Sequence, residues 1–133
     1  MWTWTIVRFL HVTAAAVWVG MQVTLMVLIP HVRRTLGPDV SRQIVRTAAR
    51  RLVVTAAVAL PTLLVTGIAL ASHEVPASHR GWVDLKVAML VAIVALLAGH
   101  GIVRTARLRI AISALMLLFS LTALFAGVHL AEL

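Results

Sequence analysis

His11 stands inside the first long apolar run of the chain, with Arg8 three residues before it and Trp18 seven residues after it. An ionisable group deep in hydrocarbon is costly, so a histidine there pairs with something, binds something or lines a polar path. Lys86 and His100 share that setting in a later apolar run, and His129 lies near the carboxyl end. Imidazole and ammonium groups offer ligation, proton exchange or charge pairing. Which of these is open depends on the elements that place them.

Those elements are fixed first by composition. With 133 residues, 62% of them hydrophobic, and a mean hydropathy of +1.03, the chain reads as one small transmembrane domain, 1–133. A soluble chain of this size could not hide so much apolar surface. Four spans are expected, at about Trp4 to Ile29, Leu52 to Ala71, Trp82 to Val103 and Ile110 to Leu130. Each is close to the ~20 helical residues that cross a ~30 Å hydrocarbon layer. The Leu, Ala and Val runs lack strand-like alternation, which argues against a barrel. The expectation is an all-α, integral membrane four-helix bundle.

The interruptions have their own chemistry. Pro30 is expected to close the first span, followed by a turn at Gly37 and Pro38 and a helical continuation capped by Asp39 or Ser41. Between the second and third spans lies a polar loop, residues 72–81, with His73, Glu74, Pro76 and His79. Between the third and fourth, residues 104–109 form a short basic hairpin loop.

Arg33, Arg34, Arg42, Arg46, Arg50, Arg51, Arg104, Arg107 and Arg109 fall on one side, whereas Arg80 alone lies in the opposite loop. By the positive-inside rule both termini face outward, in a multi-pass protein of the cell's inner, or plasma, membrane. The same clusters account for the net charge of +8 as topology signals and lipid-headgroup contacts, so nucleic acid is set aside. The amino terminus lacks the features of a cleaved secretory signal, and the first helix is expected to stay. With no cysteine, disulfides, thiolate metal sites, iron–sulfur clusters and covalent haem attachment are excluded.

Depth and face then narrow what each group can reach. Trp2 and Trp4 suit the outer interface, which puts His11 about 10 Å inward at ~1.5 Å per residue. Steps of seven and eleven residues return to nearly the same helical face, so His11, Trp18 and Gln22 form one interior stripe with Arg8 on its shoulder. Trp82 marks the outer start of the third span, and Lys86 lies at a depth similar to His11. His100 returns to nearly the face of Lys86 but about 21 Å deeper, beyond a ligand shared with His11.

His129, aligned with Thr122 and Leu118, is the other intramembrane histidine near the level of His11. Two imidazoles facing each other across a bundle are a common arrangement for b-type haem. His11 and His129 would be the axial ligands, with Arg8, Lys86 and Arg80 near the propionates. The bland alternative is a histidine that hydrogen-bonds across helices to Thr or a carbonyl.

His73 and His79, with Glu74, form either a solvated loop or an outer copper or zinc site, which His11 and His129 could join. Trp18 packs the core or stacks on something flat. Met21, Met26, Met89 and Met116 are dispersed as packing residues. Pro61 and Gly67 are expected to kink the second helix, and Thr55, Thr62 and Thr66 line one of its faces.

The segment RFLHVTAAAVWVG, a second helix with LPTLLVTG, and GWVDLKVAML opening the third resemble the superfamily that includes copper-resistance protein D and the HemJ type of protoporphyrinogen oxidase. In that group a histidine early in the first helix, a tryptophan seven residues later and a lysine early in the third recur together. They correspond to His11, Trp18 and Lys86. The resemblance covers the first three helices and implies either haem association or copper handling at the outer face, with the chain's size favouring the first. The acidic Asn-Glu-Val-Pro segment of the HemJ type has no counterpart before the last helix, which places the chain beside those oxidases rather than among them.

The leading expectation is thus a haem b protein in electron transfer near a quinone and, if an enzyme, a haem-dependent oxidoreductase. Copper binding or transport through His11, His73, His79 and His129 is the second expectation. A non-catalytic subunit of a larger membrane complex, or a homo-oligomer, is the third.

Overall fold

The computed structural model describes residues 2–132, and they form an all-α four-helix bundle. The helices are α1 (Trp2–Thr35), α2 (Pro38–Glu74), α3 (Arg80–Ile102) and α4 (Ala106–Ala131), with a 3₁₀ turn at Ala77–His79 before α3. All four have the length and hydropathy to cross a membrane. Such runs of Leu, Ala and Val satisfy their backbone groups within the helix, the arrangement that apolar surroundings demand.

Helix α1 packs most extensively on α2, and α3 on α4, with slighter contacts of α1 to α4 and of α2 to α3. The bundle is therefore two antiparallel hairpins laid together. At ~1.5 Å per residue α1 and α2 are about 50 and 55 Å long, against about 35 and 39 Å for α3 and α4. The first hairpin projects beyond the second at the end where the arginines gather. The amino end of α1, the carboxyl end of α2, the start of α3 and the end of α4 meet at the opposite, histidine-bearing end.

Two local expectations need correction. Pro30 does not close the first helix, which continues to Thr35. Proline removes one backbone donor, and a helix anchored on both sides can tolerate that loss. Pro61 likewise lies inside an unbroken α2. Neither Asp39 nor Ser41 caps α2: its cap residue is Gly37, with Pro38 in the first turn. A proline there lacks only a donor that the helix start would leave unused. Asp39 instead accepts a hydrogen bond from Arg42 at 2.7 Å, and the Ser41 hydroxyl donates to the Pro38 carbonyl at 3.2 Å.

The core sits mid-length. Trp18 is 2% exposed and packs with Ala56, Ala59, Leu60 and Ile93, surrounded by Leu52, Leu63, Leu90 and Phe119. Alanines on α2 leave room for the indole, so the largest side chain of α1 fills the space that the smallest ones of α2 open. Outside this layer little is buried. The accessible surface is 9081 Å², against about 6,800 Å² for a compact soluble monomer of this mass. Large apolar side chains such as Phe9, Val27, Val58, Ile102 and Phe125 point outward. That is the surface expected of helices that meet lipid.

Candidate functional site

The His11 ring leans from α1 onto α2. Its Nδ1 lies 2.8 Å from the Thr66 hydroxyl, which itself donates to the Thr62 carbonyl at 2.5 Å. A hydroxyl has one proton, and here it is directed at the backbone, so the Thr66 oxygen accepts and His11 Nδ1–H donates. The network thereby places a proton on Nδ1, and the ring also hydrogen-bonds to the Leu63 backbone. Gly67 makes the approach possible: a Cβ at that position would meet His11 Cε1 at 3.2 Å and Nδ1 at 3.8 Å.

A parallel arrangement holds Lys86 in the second hairpin. Its side chain reaches from α3 across Gly127 of α4, where a Cβ would meet Nζ at 3.0 Å and Cε at 3.7 Å. The ammonium is close enough to His11 for the two to interact electrostatically. Among the described residues the ion pairs are Arg8 with Glu74 and Arg42 with Asp39, and neither involves Lys86. Two basic side chains, one from each hairpin, thus lie within electrostatic range of each other, and among the described residues neither pairs with a carboxylate.

The neighbours of this pair are committed elsewhere. Arg8 donates to Glu74 at 2.7 Å, tying α1 to the end of α2. In the same layer Trp4 stacks on His73, with ring centroids 3.8 Å apart and planes within 4°. His129 packs against Trp82 at 4.9 Å with a tilt of 60°, and His79 is bonded to Ser78 at 3.0 Å. The four histidines considered for copper therefore have four different partners. Among the described residues no group of three or more His, Asp or Glu side chains is placed to hold a metal ion.

Trp18 belongs to the packed core, one layer deeper. Its Nε1 donates to the Ser120 hydroxyl at 3.1 Å, as does Gln22 Nε2 at 3.1 Å, while Ser120 donates to the Met116 carbonyl at 2.8 Å. One hydroxyl thus accepts two donors from α1 and gives its proton to α4, which fixes the rotation of one helix against the other. His100 lies toward the arginine-bearing end, within electrostatic reach of Arg109. It takes no part in the His11 site.

Sequence reasoning found His11, Lys86 and the Trp18–Gln22 stripe but missed the groups that hold them. The sequence puts Thr66 on a threonine-bearing face of α2 without naming its partner, and it gives no sign that Gly67 also clears space for the His11 ring. Gly127 and Ser120 drew no attention within an otherwise apolar helix. Their signal is the recurrence of small residues at 120 and 127 on one face, since small residues mark close helix approach.

Comparison of the chain with known protein families, with curated proteins and with solved structures finds no match.

Proposed function

We propose that this is a multi-pass inner-membrane protein, both termini outward, that holds haem b at its histidine-bearing end and passes single electrons between a quinone and an outer partner. The observation that supports this reading most is the His11 ring. Its Nδ1–H is anchored on Thr66, and in this reading Nε2 is the ligand atom. An axial histidine is commonly oriented in this way, by a hydrogen bond from its other nitrogen. The group, when bound, supplies one-electron chemistry that side chains lack.

The chain's own residues supply placement and charge. Thr66 and Gly67 set the height and angle of His11. Lys86, without a carboxylate partner among the described residues, is the cation that the site offers to a propionate, whereas Arg8 is already held by Glu74. His129, at the same end of the bundle, is the second ligand in this reading and leaves its contact with Trp82 to serve. The sequence resemblance of His11, Trp18 and Lys86 to the haem-associated group points the same way.

The test is an optical spectrum of protein purified after haem-supplied expression, oxidised and reduced. A Soret band that is lost in His11→Ala, with the helix content unchanged, is the expected result. No Soret band, together with bound copper by metal analysis, replaces the proposal with the copper reading. No cofactor at all, together with loss of the protein from membranes when a partner is deleted, replaces it with the accessory-subunit reading.

A further inference from the structure

At the opposite end, four arginines line one cleft. Arg33 from the end of α1, Arg42 and Arg46 from the first turns of α2, and Arg109 from the start of α4 line a half-open space of about 330 Å³. Like charges brought together from three helices repel, and the local compensation is small. Asp39 accepts one bond from Arg42, and Arg109 spends its Nε on the Val103 carbonyl at 2.7 Å. Arg33 and Arg46 have no hydrogen bond or ion pair among the described residues.

We infer that this cleft binds a phosphate-bearing anion, and that its source is the headgroup of an anionic phospholipid. Guanidinium forks match phosphate oxygens in geometry as well as charge. Val45 and Ala49 supply an apolar part of the lining, suited to the glycerol side of a headgroup rather than to a fully hydrated ion. The cleft also lies where the apolar part of α2 begins. Large apolar side chains near this end, such as Val27, Leu28, Leu108 and Ile110, are exposed, as expected where acyl chains meet the helices. A second cleft of about 360 Å³ on α2 is lined by Arg51 alone among charged residues, so space by itself does not gather the arginines. No residue is shared with the His11 site, and the inference stands whether or not haem binds there.

Native mass spectrometry of the detergent-purified full chain, titrated separately with phosphatidylglycerol, phosphatidylcholine and inorganic phosphate, tests it. One phosphatidylglycerol per chain is expected to be retained in preference to phosphatidylcholine. The double variant Arg33→Gln/Arg46→Gln should weaken retention about 30-fold, while Arg34→Gln/Arg51→Gln, outside the cleft, changes it less than about threefold. Ala49→Leu fills the cleft and keeps every charge, so it too should lose the lipid and decides the matter if the double variant does not fold. Equal loss in both double variants, or equal retention of the two lipids, overturns the site. Inorganic phosphate that binds without lipid and displaces phosphatidylglycerol in the low millimolar range overturns the lipid source.

Discussion

The two ends of the bundle spend their polar side chains in opposite ways. At the histidine-bearing end, four pairs join one helix to another: Trp4 with His73, Arg8 with Glu74, His11 with Thr66 and Trp82 with His129. At the arginine-bearing end nine arginines share one described ion pair, and it lies within a single helix turn. Closed pairs fix positions, which a cofactor ligand needs. Uncompensated like charge fixes nothing within the chain and waits for a counter-charge from outside. The difference separates an end that places groups from an end that attracts them.

Four substitutions test that division. Trp18→Ala, in the layer between the ends, should cost about 3–5 kcal/mol in reversible detergent unfolding, because a cavity opens among Ala56, Ala59 and Ile93 and nothing nearby can fill it. A loss confined to one end, read by amide exchange, would break the idea that this layer supports both. Ser120→Ala should cost about 1–3 kcal/mol, since Trp18 Nε1 and Gln22 Nε2 both lose their acceptor while still buried.

Gly67→Ala should cost about 1–3 kcal/mol through overpacking. Its Cβ would stand 3.2 Å from His11 Cε1, so the ring must shift by a few tenths of an ångström and its bond to Thr66 loosens. The proton assignment at His11, followed by nitrogen chemical shifts, should change with it. Arg46→Gln should leave unfolding stability within about 0.5 kcal/mol of the parent. A large destabilisation there would mean that the arginine end also holds the fold together and would dissolve the comparison.

The helices were legible in the sequence because each apolar run is long and bounded by charge or proline. Their true ends were not. The helical continuation after Gly37 and Pro38 was legible, but residues 31–35 look like a loop after Pro30 and yet remain helical, because arginine is a good helix former and the hairpin gives the segment a neighbour. His11 and Lys86 could be placed at one depth by counting residues. Thr66 and Gly127 could not be paired with them, nor Ser120 with Trp18 and Gln22, because that requires knowing how α2 and α4 are rotated about their axes. Helix α4 is apolar nearly all round, so no stripe in its sequence declares which face turns inward.

The division into two hairpins also splits the site between them. His11 and Thr66 belong to the first hairpin, and Lys86 and Gly127 to the second. A chain that has inserted only α1 and α2 therefore already has its imidazole oriented, but not the cation beside it. The site is complete only when both hairpins are in place. Anything that binds both His11 and Lys86 would then recognise the finished molecule and not its half-built precursor.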